Sequence, residues 1–93
     1  MLSLDAALKI PASVLYTTVD QDVVLLNTLT NQYFALDEVG ARFWVLLSEG
    51  KTLRETHRSL LEEYEVEALT LEQDLLELIE DLRKNELIKI PEA

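Results

Sequence analysis

His57 is the one histidine of the chain, and the chain has no cysteine. Zinc sites use several nitrogen or sulfur ligands and thiol nucleophiles need cysteine, so neither a zinc site nor cysteine catalysis is predicted. His57 lies on the apolar stripe of a predicted helix, where a lone histidine is typical of packing. The sequence also has no glycine-rich phosphate loop and no recognisable nucleophile motif. We therefore expect no metal ion and no cofactor.

Carboxylates are the abundant reactive group, with 18 Asp and Glu against 8 Lys and Arg. Glu62-Glu63 and Glu77-Glu80-Asp81 fall on predicted solvated helix faces. Nothing indicates the desolvated pocket that would separate the pKa values of two carboxyl groups. We therefore expect no catalytic activity. The net charge of −10 disfavours nucleic-acid backbones and favours a neutral or basic partner, while a role in solubility alone remains open.

The bulk properties are those of one small domain spanning residues 1–93, with residues 1–12 as an N-terminal arm. The arm does not have the pattern of a signal peptide. No segment approaches the roughly 18 successive apolar residues of a membrane span. We expect a cytoplasmic protein, and the absence of cysteine fits a reducing compartment.

Three short segments rich in Val, Leu and Thr or in aromatic residues come before the helical part of the chain. They predict strands at residues 13–19, 22–28 and 32–36, with Asp20-Gln21 as the first turn. The second strand is apolar throughout residues 23–26, which indicates that both of its faces are covered. The N-terminal arm is a candidate for covering the face away from the helices.

The third strand is predicted at an edge of the sheet, with main-chain N–H and C=O groups left unpaired. Alternation places Phe34 and Leu36 on one face of this strand and Tyr33 and Ala35 on the other. The strand has neither the lysine nor the proline that often blocks an edge. A sheet edge beside a helix can bind an extended peptide, so the pattern makes peptide binding the hypothesis to test.

Two helical patterns follow the strands, each with its own end signals. Asp37 is positioned to cap the first helix through its carboxylate, and Gly50 is positioned to end it. Thr52 and Glu55 form the T-x-x-E capping box of the second helix.

A third helix is predicted to begin at a second capping pattern, Thr70 and Gln73, and to run to about Asn85, with residues 87–90 as a tail strand or packing segment. Its apolar arc covers roughly 160°, which is wider than the stripe of an ordinary surface helix. The arc is consistent with packing against two neighbours. It is also consistent with one flank lining a groove beside the third strand, with acidic residues at the rim. The arc consists of Leu71, Leu75, Leu76, Leu78, Ile79 and Leu82.

The element order predicts an α+β fold in which a three-stranded antiparallel sheet is followed by a three-helix bundle, similar to a winged helix-turn-helix. In a DNA-binding protein of this kind the third helix would present basic or amide side chains to the major groove. Here it presents mainly acidic residues. An acidic winged-helix DNA-binding protein therefore stays as an alternative that its charge disfavours.

The chain resembles the PqqD-like family, whose members recognise ribosomally made peptides that are later modified. The resemblance covers about residues 14–88. It is carried by Tyr33-Phe34-x-Leu36-Asp37-x-x-Gly40-x-x-x-Trp44-x-Leu46-Leu47, by Thr52-Leu53, by Leu60-x-x-x-Tyr64 and by the leucine-rich third helix ending in Leu87-Ile88.

The resemblance implies a RiPP recognition element, in which a precursor's leader peptide adds a strand to the third strand and contacts the third helix. The implied peptide-binding residues are Thr30, Asn31, Gln32, Tyr33, Phe34 and Ala35, with Leu75, Leu78 and Leu82 as the groove and Asp74, Glu77 and Asp81 as its rim.

Among family members, the chain is most similar to the discrete leader-binding proteins of lasso peptide biosynthesis. Those proteins deliver the leader to a transglutaminase-like cysteine peptidase. A monomer or weak dimer is expected. The alternative within the family is a PqqD-type partner of a radical SAM enzyme in pyrroloquinoline quinone synthesis. A third alternative is a small subunit that stabilises an enzyme without contacting the substrate.

Overall fold

The computed structural model describes residues 3–90 and confirms the predicted α+β class. Met1 and Leu2 of the predicted arm lie outside the described residues. None of the helices within residues 3–90 has the length and apolarity needed to cross a membrane. The elements in chain order are β1 (Val14–Val19), β2 (Asp22–Asn27), β3 (Gln32–Leu36), α1 (Glu38–Ser48), α2 (Leu53–Glu63) and α3 (Ala68–Lys84).

The sheet is an antiparallel meander in the order β1-β2-β3, as predicted. Leu25 in the middle of β2 pairs with Tyr16 of β1 and with Phe34 of β3. Since side chains alternate along a strand, these three residues share the face that packs on the helices. Leu25 is fully buried, so the centre of β2 is the centre of the sheet's contribution to the core.

The opposite face of the sheet stays largely open. Leu15, Val19 and Tyr33 lie on it and are 55%, 53% and 72% exposed. The arm does not cover this face, so that role for the arm is wrong. Its Leu4 is buried in the core, and residues 4–10 lie along the end of α1 and the start of α2. On the helical side, Ala6, Leu8 and Ile10 of the arm also pack against the core.

The core is centred on the aromatic residues of α1. Phe43 and Trp44 are fully buried, and the Trp44 ring meets Tyr16 edge to face with 6.2 Å between centroids. Burying a large apolar side chain contributes roughly 1.5–3 kcal/mol, so each of these two positions is a substantial contributor to the stability of the domain. The other helices contribute further fully or almost fully buried residues: Leu53, Leu60, Leu71, Leu75, Ile79 and Leu82.

The helix-end signals between α1 and α2 are confirmed. The Glu55 N–H donates to Thr52 Oγ1 at 3.1 Å, and the Thr52 N–H donates to Glu55 Oε1 at 2.9 Å, which completes the capping box. Gly50 has φ of +93°, a backbone conformation that glycine adopts without a Cβ penalty. The local sequence is sufficient to predict this junction, because the residues that form its hydrogen bonds lie within a few positions of each other.

Two other cap predictions are wrong in their chemistry. Asp37 does occupy the N-cap position of α1, and its main-chain carbonyl accepts the Gly40 N–H at 2.9 Å, but its side chain makes no cap hydrogen bond. Thr70 and Gln73 lie inside α3, which begins at Ala68. The Glu67 carbonyl already accepts the Leu71 N–H at 3.0 Å, so the first turn forms ahead of Thr70.

The arm and the tail pair with each other. Lys9 and Lys89 form an isolated antiparallel bridge, with both N–H···O distances at 2.8 Å. Leu87 and Ile88 just before the bridge are buried, as predicted for a tail that packs on the domain. Within residues 3–90 neither the arm nor the tail forms a strand bridge with β3, so its outer main-chain edge stays unpaired.

Candidate peptide-binding site

The directions of the main-chain groups in the sheet follow from one hydrogen bond. The Thr28 N–H donates to the Ser13 carbonyl at 3.0 Å, so the residue pair at positions 13 and 28 is of the hydrogen-bonded type. Bonded pairs alternate along antiparallel strands. The main-chain groups of Asn27, Leu25 and Val23 in β2 therefore point towards β3.

The partners of these three residues in β3 are Gln32, Phe34 and Leu36. The residues between them, Tyr33 and Ala35, consequently direct their N–H and C=O groups away from the sheet. Within residues 3–90 no other strand pairs with this edge. The edge can therefore hydrogen-bond an incoming strand through two specific residues.

A buried amide fixes the start of β3 near the end of α3. Asn27 is 1% exposed, and its Nδ2 lies 3.4 Å from the Asn85 carbonyl and 3.2 Å from the Glu86 carbonyl. Its Oδ1 accepts the Leu29 N–H at 3.0 Å, which holds the β2–β3 turn. Sequence reasoning missed Asn27, although a polar residue at a core-facing position of an apolar strand was an available signal.

At the other end of β3, an apolar cavity of about 190 Å³ opens between α1 and α3. A Cβ placed on Gly40 would lie 3.6 Å from Leu36 Cδ2 and 3.7 Å from Leu78 Cδ2, so these three residues meet where the edge strand, α1 and α3 converge. The cavity is lined by Val39 and Gly40 of α1, by Val66, and by Thr70, Leu71, Asp74, Leu75 and Leu78 of α3.

The structure distinguishes the three leucines predicted to line the groove. Leu78 is half-buried and lines the cavity, and Leu75 lines it from a position that is 2% exposed. Leu82 is fully buried and does not line it. Leu82 belongs to the core because it lies one turn further along α3, where that helix packs on the rest of the domain.

The three predicted rim residues also differ in position. Asp74 lines the cavity, whereas Glu77 and Asp81 are exposed and lie outside it. Asp74 and Asp81 share a helix face with Leu78 at spacings of four and three residues, while Glu77 is rotated by about 100° from Leu78. A ligand that follows this face of α3 would pass two carboxylates.

The predicted residues at the start of the edge have different local roles. Thr30 and Asn31 lie in the exposed turn, where the Asn31 N–H donates to the Asn27 carbonyl at 2.7 Å and φ of Asn31 is +60°. The main chain of Gln32 pairs with β2, and Phe34 packs its side chain against the core. These residues shape the edge, and Tyr33 and Ala35 supply its outward main-chain groups.

His57 has the packed role expected of it. It is 8% exposed, and its Nε2 lies 2.9 Å from the Ala68 carbonyl, so it links α2 to the first turn of α3. Among residues 3–90 no three potential metal ligands of the His, Cys, Asp or Glu types come together. The candidate site in the described residues is therefore an open strand edge beside an apolar cavity.

Comparison with known proteins matches this architecture. The family described as "Coenzyme PQQ synthesis protein D (PqqD)" matches residues 22–88. A structure of TbiB1 in complex with the TbiA(beta) leader peptide is 39% identical, with a TM-score of 0.86 over 91% of this chain and 99% of that one. A lasso peptide synthetase B1 complexed with the leader peptide is 25% identical, with a TM-score of 0.80 over 90% and 99%. No curated protein matches the chain significantly.

The matched region spans most of the chain and includes β2, β3 and all three helices. The protein therefore belongs to the PqqD family. Within this class, its fold is shared with two proteins whose structures were solved with leader peptides bound.

Proposed function

We propose that this protein is a noncatalytic recognition protein that binds the leader of a ribosomally made precursor peptide. The leader adds a strand to β3, with main-chain hydrogen bonds to Tyr33 and Ala35, and its side chains contact α3. The observation that carries the proposal is the open edge at these two residues, next to the apolar cavity. The leader complexes of the two similar proteins support it.

In this proposal the strand edge and the cavity contribute differently to leader recognition. Each main-chain hydrogen bond contributes about 0.5–1.5 kcal/mol and is indifferent to leader sequence. Ordering a flexible leader costs free energy, so a buried anchor side chain is needed as well. The cavity of about 190 Å³ exceeds the roughly 150 Å³ that accommodates benzene in an engineered cavity, so one aromatic or large aliphatic side chain fits.

The pathway we propose is lasso peptide maturation in the cytoplasm, with the protein, as a monomer or weak dimer, presenting the leader to a leader-cleaving cysteine peptidase. The similarity to lasso peptide synthetase B1 favours this branch of the family. The family description keeps a PqqD-type role in pyrroloquinoline quinone synthesis as the second candidate. Neighbouring genes distinguish the two, since one pathway requires a peptidase and a cyclase and the other a radical SAM enzyme.

Proline substitution at the edge tests strand addition directly. In Ala35→Pro the lost N–H is one that points away from β2, so the β2–β3 hydrogen bonds remain. We expect leader affinity to fall at least tenfold, since the bound leader would lose a donor and meet the proline ring. Fluorescence polarisation with a labelled leader peptide measures the affinity, and thermal unfolding checks the fold.

Thr18→Pro is the matched control, because Thr18 also directs its N–H outwards, but from the opposite edge of the sheet. It should leave leader affinity unchanged. Equal affinities for Ala35→Pro and wild type, in a folded variant, would refute pairing at β3. Failure of the wild type to bind at tens of micromolar would refute leader recognition itself.

A further inference from the structure

A second groove lies at the far end of α1 from the cavity. It has a volume of about 660 Å³ and is formed by the arm, the end of α1 and the start of α2. We call it the arm groove. Its apolar lining includes Leu4, Leu8, Leu47 and Leu53, of which Leu8 and Leu47 remain partly exposed.

The arm groove is basic, although the protein is strongly acidic. Within residues 3–90, Lys9, Lys51 and Arg54 line it against a single carboxylate, Asp5, which pairs with Arg54 at 2.8 Å. Lysine and arginine number only 8 in the whole chain, against 18 acidic residues. Because Asp5 pairs with Arg54, Lys9 and Lys51 supply the excess positive charge of the groove, which is opposite in sign to the net charge of the chain.

The bridge between arm and tail adds to this field. Lys9 and Lys89 are directly opposite each other, both exposed, in a hydrogen-bonded antiparallel pair. Like charges in directly opposed positions are destabilising in the absence of a counter-charge. An anionic group bound at the groove would relieve this repulsion, so the structure favours an acidic occupant.

We propose that the arm groove docks a segment in which Asp or Glu alternates with apolar residues, belonging to the enzyme that receives the leader. This inference rests on the proposed function. The carboxylates of the segment pair with Lys9 and Lys51, and its apolar side chains cover Leu8 and Leu47. Among the described residues no aromatic side chain lines the groove to stack on a base, and a bare phosphate would leave the leucines uncovered.

The position of the groove allows both partners to bind together. The cavity beside β3 is at the start of α1, and the arm groove is at its end. A helix of 11 residues is about 16 Å long, so an enzyme segment in the groove would not contact the leader's anchor. The protein can thus hold the leader at one end of α1 and the enzyme at the other.

Charge reversal in the arm groove tests the inference against the pathway's cysteine peptidase. The variant is Lys9→Glu/Lys51→Glu, and the matched control is Arg58→Glu, an exposed cation of α2 that does not line the groove. Two quantities are measured for each protein by biolayer interferometry: leader affinity, and peptidase affinity with the leader bound. Peptidase binding is measured at low and high salt.

We expect the double variant to retain leader affinity within about twofold and to lose peptidase affinity at least tenfold, mainly through slower association. Wild-type docking should weaken with salt, and Arg58→Glu should dock as the wild type does. The inference would be overturned if the double variant bound the peptidase with wild-type affinity. It would also be overturned if Arg58→Glu lost as much peptidase affinity as the double variant.

Three further outcomes have different consequences for this inference and for the proposed function. A wild-type protein that binds leader but no peptidase overturns the arm groove and leaves leader recognition standing. Loss of docking in Leu15→Lys, with the double variant unaffected, would assign the peptidase to the open face of the sheet instead. Failure of leader binding in the wild type would instead refute the proposed function.

Discussion

Replacement of Gly40 by alanine should change stability and binding in opposite directions. The added Cβ would meet Leu36 and Leu78 at 3.6–3.7 Å, which is ordinary van der Waals contact, so the fold has room for it. Gly40 lies inside α1, where alanine is favoured over glycine by about 0.5–1 kcal/mol. The variant should therefore unfold about 2–8 °C higher than the wild type.

Leader binding should weaken in the same variant. Gly40 lines the cavity of about 190 Å³, and a methyl group there narrows the space for the leader's anchor. Forcing a side chain into a space one carbon too small costs about 1–3 kcal/mol, which corresponds to a Kd about five- to 150-fold higher. Thermal unfolding and fluorescence polarisation with the leader peptide measure the two effects on one protein sample.

Gly50→Ala provides the matched control because it makes the same chemical change at a different kind of site. Gly50 has φ of +93°, and a methyl group added there would meet no described atom within 4 Å, so the penalty comes from the backbone alone. We expect a loss of about 1–2 kcal/mol in stability and no change in leader affinity.

The reasoning would be refuted by a Gly40→Ala variant that binds leader as well as the wild type does, since the cavity would then hold no anchor. A lower unfolding temperature in that variant would refute the packing argument, since Leu36 and Leu78 would then be unable to accommodate the methyl group.

Two other predictions concern the helices. Leu82→Ala should lower the free energy of unfolding in urea by about 2–5 kcal/mol and should not remove a groove residue. Leu78→Ala should lower the free energy of unfolding less and should weaken leader binding. Equal losses of stability in the two variants would make Leu78 a core residue. The hydrogen bond from the Thr52 main chain lowers the pKa of Glu55 from its ordinary 4.5. That contribution is present above pH 4.5 and is lost as pH falls through the lowered pKa, so the difference in Tm between wild type and Glu55→Gln should shrink on acidification. A difference that stays constant would mean that the charge of Glu55 plays no part.

Much of the fold was predictable because its signals are local. The strand at residues 32–36 and the alternation of Tyr33 and Phe34 follow from period-two patterning, and its position at the sheet edge follows from the sequential order of the strands. The capping box at Thr52 and the left-handed Gly50 follow from residues within one turn of each other. The two other cap predictions failed in different ways: Asp37 is the N-cap of α1 but makes no side-chain cap bond, and Thr70 lies inside α3, which begins at Ala68.

The candidate site was predictable only in part. Leu75, Leu78 and Leu82 lie on the same arc of α3, and their type and spacing do not distinguish them. Contacts with segments distant in sequence do so, since Leu78 meets Gly40 of α1 while Leu82 is enclosed in the core. The hydrogen bonds from the Asn27 side-chain amide to the carbonyls of Asn85 and Glu86 also join segments that are distant in sequence.

Periodicity and end signals in the chain were enough to specify the type and order of the elements, because each depends on neighbours a few residues away. Packing between distant segments decided which leucine faces the cavity and where the arm lies. It also brought Lys9, Lys51 and Arg54 to one groove. Burial and charge clustering are properties of surfaces that exist only once those segments meet.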